Sequence, residues 1–259
     1  MKITTTLLMM LMCTTAFAVD TPLPIDNDGV IDDFVQQCQK NDALDGAKRD
    51  AVAKMIKKYR AEDAYDTDII THALSDVYPT FSDALDALGE EETDKAVKIL
   101  GELQKSKDPY LAAHAAFFQA RAYIMDDKYE QALPLVTSIT NGKHNERTLY
   151  RDEAMFLEGV CQAKTLQPKP AMETLQSFLR ATEGSETVSE RMRVGAMHLL
   201  NELAVIDEGS IIDVQNRMEY SYRRLALKNS GKRTQEEQDR IIAMLDKLIE
   251  EAENKEGGT

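Results

Sequence analysis

The sequence predicts an all-α protein assembled from antiparallel helix pairs, and three observations carry that expectation. Ala, Leu, Met, Glu, Lys and Gln recur along the whole 259-residue chain, and such straight-chain residues lose little rotamer freedom in a helix. Twelve Gly and seven Pro are too few to punctuate the many short strands of a sandwich or barrel of this length. Apolar residues fall at alternating spacings of three and four, the period of a helix with one buried face.

Composition narrows the function. With 43% hydrophobic and 29% charged residues, the chain has an ordinary globular balance and not that of a disordered segment. The formal net charge of −14 opposes long-range attraction to phosphate backbones or anionic lipid, so no nucleic-acid partner is expected.

The chain opens with Lys2, an apolar run from Leu7 to Met12, and Ala16-Phe17-Ala18. This is the layout of a signal peptide over residues 1–18, cleaved after Ala18 so that the mature chain begins at Val19. A buried N-terminal helix is the alternative. Cys13 raises lipoprotein processing, but Met12 stands where a lipobox needs a small residue. No later apolar run reaches the roughly 18 residues that span a bilayer, so the product is expected to be exported, periplasmic or secreted, without a transmembrane segment. An exported setting permits a disulfide between Cys38 and Cys161, although two thiols so far apart in a helical array more often sit as separate buried residues.

Residues 19–29 combine two prolines with three acids and show no periodicity, which predicts an extended leader. Helical patterning starts near Val30 and defines N-terminal helices over 30–79. Apolar positions are Ala51, Met55, Ile56 and Tyr59, then Ile69, Ile70, Ala73, Leu74 and Val77, then Phe81, Leu85 and Leu88. Pro79 should end one helix and open the next, because the residue before a proline is pushed out of the helical region.

From residue 80 to 206 the pattern itself repeats. Asp94–Leu100, Tyr129–Val136 and Lys169–Leu175 share one phase, with Ala96, Ala132 and Ala171 spaced by 36 and 39 residues. The segment Ala120–Leu133 resembles the tetratricopeptide repeat: Ala120 takes the small position, Tyr123 the aromatic, Ala132 the close-approach alanine and Val136 a later core position. In the next unit Gly159 and Ala171 fit, but Gln162 replaces the aromatic and Pro168 and Pro170 occupy the loop. The preceding unit keeps Ala84 and Ala96 without the aromatic. The resemblance spans about residues 80–183. It implies a right-handed superhelical array whose concave face accepts a peptide or partner helix. An unrelated bundle in which the small residues coincide is the alternative.

The region 210–255 is expected to form a helical hairpin. Ile211, Val214, Met218, Tyr222 and Leu225 form one seam, and Ile241, Leu245, Leu248 and Ala252 the other. Gly231 suits the left-handed residue after the first helix, and Thr234 with Glu237 reads as a capping box for the second.

Catalytic signatures do not emerge. There is no phosphate-binding or dinucleotide-binding glycine motif, no nucleophile elbow, and no H-E-x-x-H pair. His72, His114, His144 and His198 show no ligand spacing, so no metal or other cofactor is called for. The only basic island is Arg217, Arg223, Arg224, Lys228, Lys232 and Arg233, which faces an acidic stretch over 236–256. Exposed pairing with Glu236, Glu237 and Asp239 across the turn is preferred over an anionic partner, and reversing Arg223 and Arg224 should then cost little. The functional expectation is a non-catalytic scaffold of a cell envelope that binds a protein or peptide on its array. The alternatives are an envelope-polymer hydrolase that gathers His114 or His198 with carboxylates in a cleft, and a carbohydrate-binding module, disfavoured by the absence of Trp.

Overall fold

The computed structural model describes residues 26–62, 67–185 and 187–256, and the expected signal peptide and most of the leader lie outside the described residues. Among the described residues the chain forms helices only: α1 (Asn27–Lys40), α2 (Gly46–Ala61), α3 (Ile69–Val77), α4 (Pro79–Gly89), α5 (Thr93–Leu103), α6 (Pro109–Met125), α7 (Tyr129–Thr140), α8 (Arg151–Lys164), α9 (Pro168–Ala181), α10 (Glu190–Ala204), α11 (Ile211–Ala226) and α12 (Lys232–Glu256). Consecutive helices from α4 to α9 pack against one another in turn, which makes an array of helix pairs.

The first helix starts three residues before Val30, because the Asp26 carboxylate accepts a hydrogen bond from the Gly29 N–H at 3.0 Å and caps the turn. The break at Pro79 falls as expected: α3 stops at Val77, Tyr78 is non-helical, and α4 begins at the proline. Helix α6 is capped by Asp108, whose side chain accepts from the N–H groups of Tyr110 and Leu111. It is apolar on all sides, with Tyr110 to Ala120 buried without interruption, so it occupies the middle of the molecule.

The repeat has a structural counterpart in four turns built alike. Glu91, Asp127, Leu166 and Lys228 all have φ between 57° and 61°. In each turn the next residue's N–H reaches back to the helix, Glu92 to Ala87, Lys128 to Tyr123, Gln167 to Gln162 and Asn229 to Arg224, at 2.8–2.9 Å. This is the Schellman closure of a helix end, achieved here without glycine. Around the first three turns a small residue stands seven positions before the left-handed residue and an alanine five after: Ala84 and Ala96, Ala120 and Ala132, Gly159 and Ala171. All these alanines are fully buried. At Gly159 a Cβ would lie 2.6 Å from Leu175, so α8 and α9 meet closely there. The fourth turn joins α11 to α12 and carries Ser221 and Arg233 at the same offsets. Lys228, and not Gly231, is therefore the left-handed residue of the hairpin.

The core has three parts. The largest runs from α1 through α6 and takes in Leu149, Tyr150 and Ala154; a second joins α8, α9 and α10; a small third holds Ala120, Ala132, Val136 and Cys161, with Tyr123 half-buried against it. Tyr150 fixes the connection between α7 and α8 by stacking on Phe117 at 4.1 Å. Its hydroxyl donates to Asp68 and accepts from Thr71. Cys38 and Cys161 lie in different parts of this core and are unbonded, and burial pushes both thiols up to about 12.

Candidate functional site

The array ends at α10, and the chain then turns through Gly209 (φ 82°) into α11, which is capped by the Ser210 hydroxyl accepting from the Asp213 N–H at 3.2 Å. Helix α11 crosses the end of the array, and two clefts open on either side of the crossing. The larger, about 330 Å³, has an apolar floor from Leu199, Leu203, Ile206 and Ile212 and a rim that includes Lys164, Glu202, Asn216 and Arg223. The smaller, about 240 Å³, is lined by Asp126, Tyr129, Tyr222, Arg223 and Leu227 among others.

Between the clefts the hairpin is anchored by its arginines. Arg223 is buried (8% exposed); it donates to the Lys164 carbonyl and lies over the Tyr129 ring at 4.9 Å. Arg224 is equally buried and bonds Glu130 at 2.7 Å and the Thr234 hydroxyl at 2.7 Å. Burial alone would raise the Glu130 carboxyl, but the hydrogen bond and charge of Arg224 outweigh it and hold the group below its ordinary value. Arg217 bridges Asp213 at 2.9 Å and Glu237 at 2.7 Å. Lys164 and Glu219 close the crossing at 3.1 Å.

This corrects the expected surface pairing. The basic island divides into three buried or half-buried anchors, Arg217, Arg223 and Arg224, and three exposed residues, Lys228, Lys232 and Arg233. Lys232 pairs with Glu236 one turn along its own helix at 3.5 Å, while Arg233 rests 5.6 Å from the Tyr220 ring. The expected capping box is also absent. Helix α12 already begins at Lys232, Thr234 donates to the Asn229 carbonyl at 2.6 Å, and Glu237 accepts from Arg217 and Arg240. Sequence reasoning missed these anchors because Glu130 lies 94 residues from Arg224 and Lys164 lies 59 from Arg223.

The predicted seam of α11 is corrected as well. Val214 is buried, but Ile211, Met218, Tyr222 and Leu225 are 64%, 53%, 74% and 44% exposed. The face of α11 that meets α12 carries Arg217 and Arg224, so this apolar stripe stands in solvent instead. Among the described residues twelve large hydrophobic side chains are exposed, and all except Met125 lie between Val194 and Ile249. The repeat positions Ala96, Ala120, Ala132, Val136 and Ala171 are fully buried, so they hold helices together.

His114 is enclosed, its Nδ1 bonded to the Tyr110 carbonyl at 2.8 Å. Burial lowers both His114 and His144 to about 4. His198 is exposed beside Glu202 at 3.3 Å. None of the three lines either cleft. Among the described residues no group of three or more His, Cys, Asp or Glu is placed to hold a metal, and no helix is long and apolar enough to cross a membrane. Comparison with protein-family models, with curated proteins and with solved structures finds no match for the chain.

Proposed function

We propose that this chain is an exported, non-catalytic scaffold of the cell envelope that binds a protein or peptide through the end of a tetratricopeptide-like array. One observation carries the reading: exposed large hydrophobic side chains are concentrated from α10 to α12, while among the rest of the described residues Met125 alone of that kind stands in solvent. Scattered single hydrophobics need no explanation, but a concentrated set marks an interaction surface. The left-handed turns that recur with the 36- and 39-residue spacing support the family resemblance.

The larger cleft is the anchoring point. Its floor accepts apolar side chains, and its rim offers Asn216 and charges of both signs for the backbone and polar groups of a bound segment. This moves the partner from the concave face of the array to the junction, where α11 is a wall of the site as well as its support. Photo-crosslinking residues at Val205 and Ile212, compared with Lys98 on the array, test it in the native exported fraction. Adducts to one discrete partner from Val205 and Ile212 but not from Lys98 are expected. Equal adducts at all three, or adducts from Lys98 alone, would contradict the assignment.

A further inference from the structure

We infer that the partner segment held in the larger cleft is recognised by a single glutamate side chain set among apolar residues, whose carboxylate pairs with Arg223. The inference rests on the larger cleft being the anchoring point. It starts from a charge that the fold buries and leaves unpaired.

Among the described residues two arginines are buried, Arg223 and Arg224, and they are served differently. Arg224 pairs with Glu130 and gives its Nε–H to the Thr234 hydroxyl. Arg223 has no carboxylate partner among the described residues. Its Nη2 donates to the Lys164 carbonyl, its Nε is enclosed without a hydrogen-bond partner, and Nη1, which is not enclosed, has none either. The rings of Tyr129 and Tyr220, at 4.9 and 5.5 Å, stabilise the cation without bonding its remaining N–H groups. A buried charge is ordinarily matched by an opposite one, and an orphaned buried donor calls for a reason. Arg223 lines both clefts, so a ligand in either reaches it.

The other charges of the larger cleft are already spent: Lys164 on Glu219, Arg217 on Asp213 and Glu237, and Glu202 on His198. Asn216 is not, since its side-chain amide has no partner among the described residues. It stands two turns before Arg223 on the same face of α11, about 10 Å away. That is the length of about three extended residues, so one wall offers an amide for a backbone and a cation for an acid. The smaller cleft adds two acids, Asp126 and Asp127, and no further base to its lining, so the carboxylate approaches from the larger one. Because Arg223 separates two clefts, a segment that reaches it has open surface ahead and runs on, which sets a side chain and not a chain end at the guanidinium. Burial of Arg223 favours the longer glutamate over aspartate. The net charge of −14 opposes a strongly acidic partner, so the signature is one acid flanked by apolar residues that fill the floor of Leu199, Leu203, Ile206 and Ile212.

The probe is a pool of end-blocked pentapeptides with Glu at the centre and Ala, Val or Leu elsewhere. It is titrated to about 5 mM into the full chain, with the methyl resonances of Ile206 and Ile212 as the readout. The Glu pool should shift both signals, and a Gln-centred pool should bind at least about 10-fold more weakly. In Arg223→Gln, which keeps a donor for the Lys164 carbonyl, the two pools should bind alike. The side-chain N–H resonances of Arg223 in the unaltered chain should move with the Glu pool and not with the Gln pool, so the result does not depend on the variant folding. Equal binding of the two pools, no shift with either, or a Gln-centred pool with a free C-terminal carboxylate that binds as tightly as the Glu pool would overturn the inference. Equal shifts from both pools would leave the cleft as the anchoring point, whereas absence of crosslinks from Val205 and Ile212 would remove that reading itself, so the two failures are told apart.

Discussion

The array, together with the N-terminal helices packed on it, and the hairpin of α11 and α12 bury their residues by opposite means. In the array, apolar side chains meet one another: Phe34, Phe81, Phe117 and Leu100 are fully enclosed, and alanines allow close helix approach. In the hairpin the joints are made by charged groups, Arg217 with Asp213 and Glu237, Arg223 over Tyr129, and Arg224 with Glu130, while Ile211, Met218, Leu225, Ile242 and Ile249 point outward. A hydrophobic core tolerates displacement of single contacts and is non-directional, whereas a buried ion pair demands geometry and is disrupted when one partner is lost. The array is thus the stable body, and the hairpin is a directed attachment that holds an apolar face away from it.

The largest expected effect breaks the attachment. Arg224→Glu places a second carboxylate against Glu130 in a buried setting and should destabilise the junction by about 3–5 kcal/mol. Hydrogen exchange should then accelerate in α11 and α12 while α6 keeps its protection. Uniform acceleration along the chain would mean that the two regions fold as one unit.

Acid should act on the array in particular. His114 and His144, held near 4 when folded, titrate near 6.5 when unfolded. Because the folded values are depressed, stability is full above about pH 6.5 and falls as pH drops toward 4, by about 2 kcal/mol per histidine at pH 5. Asp152 and Glu153, raised by burial, work in the opposite sense and partly offset the loss as they take up protons on folding. A thermal midpoint that falls between pH 7 and pH 5, with the fall reduced in His114→Gln, is the expected result.

Within the array, Ala132→Leu should overpack the contact of α6 with α7 and cost about 1–3 kcal/mol in chemical denaturation. The smallest change sharpens the comparison from the other side. Glu91 is exposed and left-handed, so Glu91→Gly should relieve backbone strain and raise stability by roughly 0.5 kcal/mol, the relief offset in part by glycine's entropy.

Local features were legible in the sequence and long-range ones were not. Pro79 announced its own break, and the 36- and 39-residue spacing of Ala96, Ala132 and Ala171 reappears as the spacing of three left-handed turns. The stripe Ile211, Met218, Tyr222 and Leu225 was visible too, but a spacing of three and four identifies a face without saying what that face meets. The burial of Arg223 and Arg224 had no local signal, since Lys164 and Glu130 are brought to them only by the fold. The left-handed role of Lys228 was hidden for a related reason: glycine is the usual sign of such a turn, and the turns here use Glu, Asp, Leu and Lys instead.

Methionine oxidation tests most directly the claim that association occurs at the C-terminal end. Met125, Met197 and Met218 are 56%, 45% and 53% exposed, and Met155 is buried at 5%, so three comparable reporters and an internal reference lie in one chain. Peroxide labelling of the dilute purified protein is compared with labelling in its native exported fraction. Slower oxidation of Met197 and Met218 in the native fraction, with Met125 unchanged relative to Met155, is the predicted result. Protection of Met125 instead, or no protection of any of the three, would contradict it.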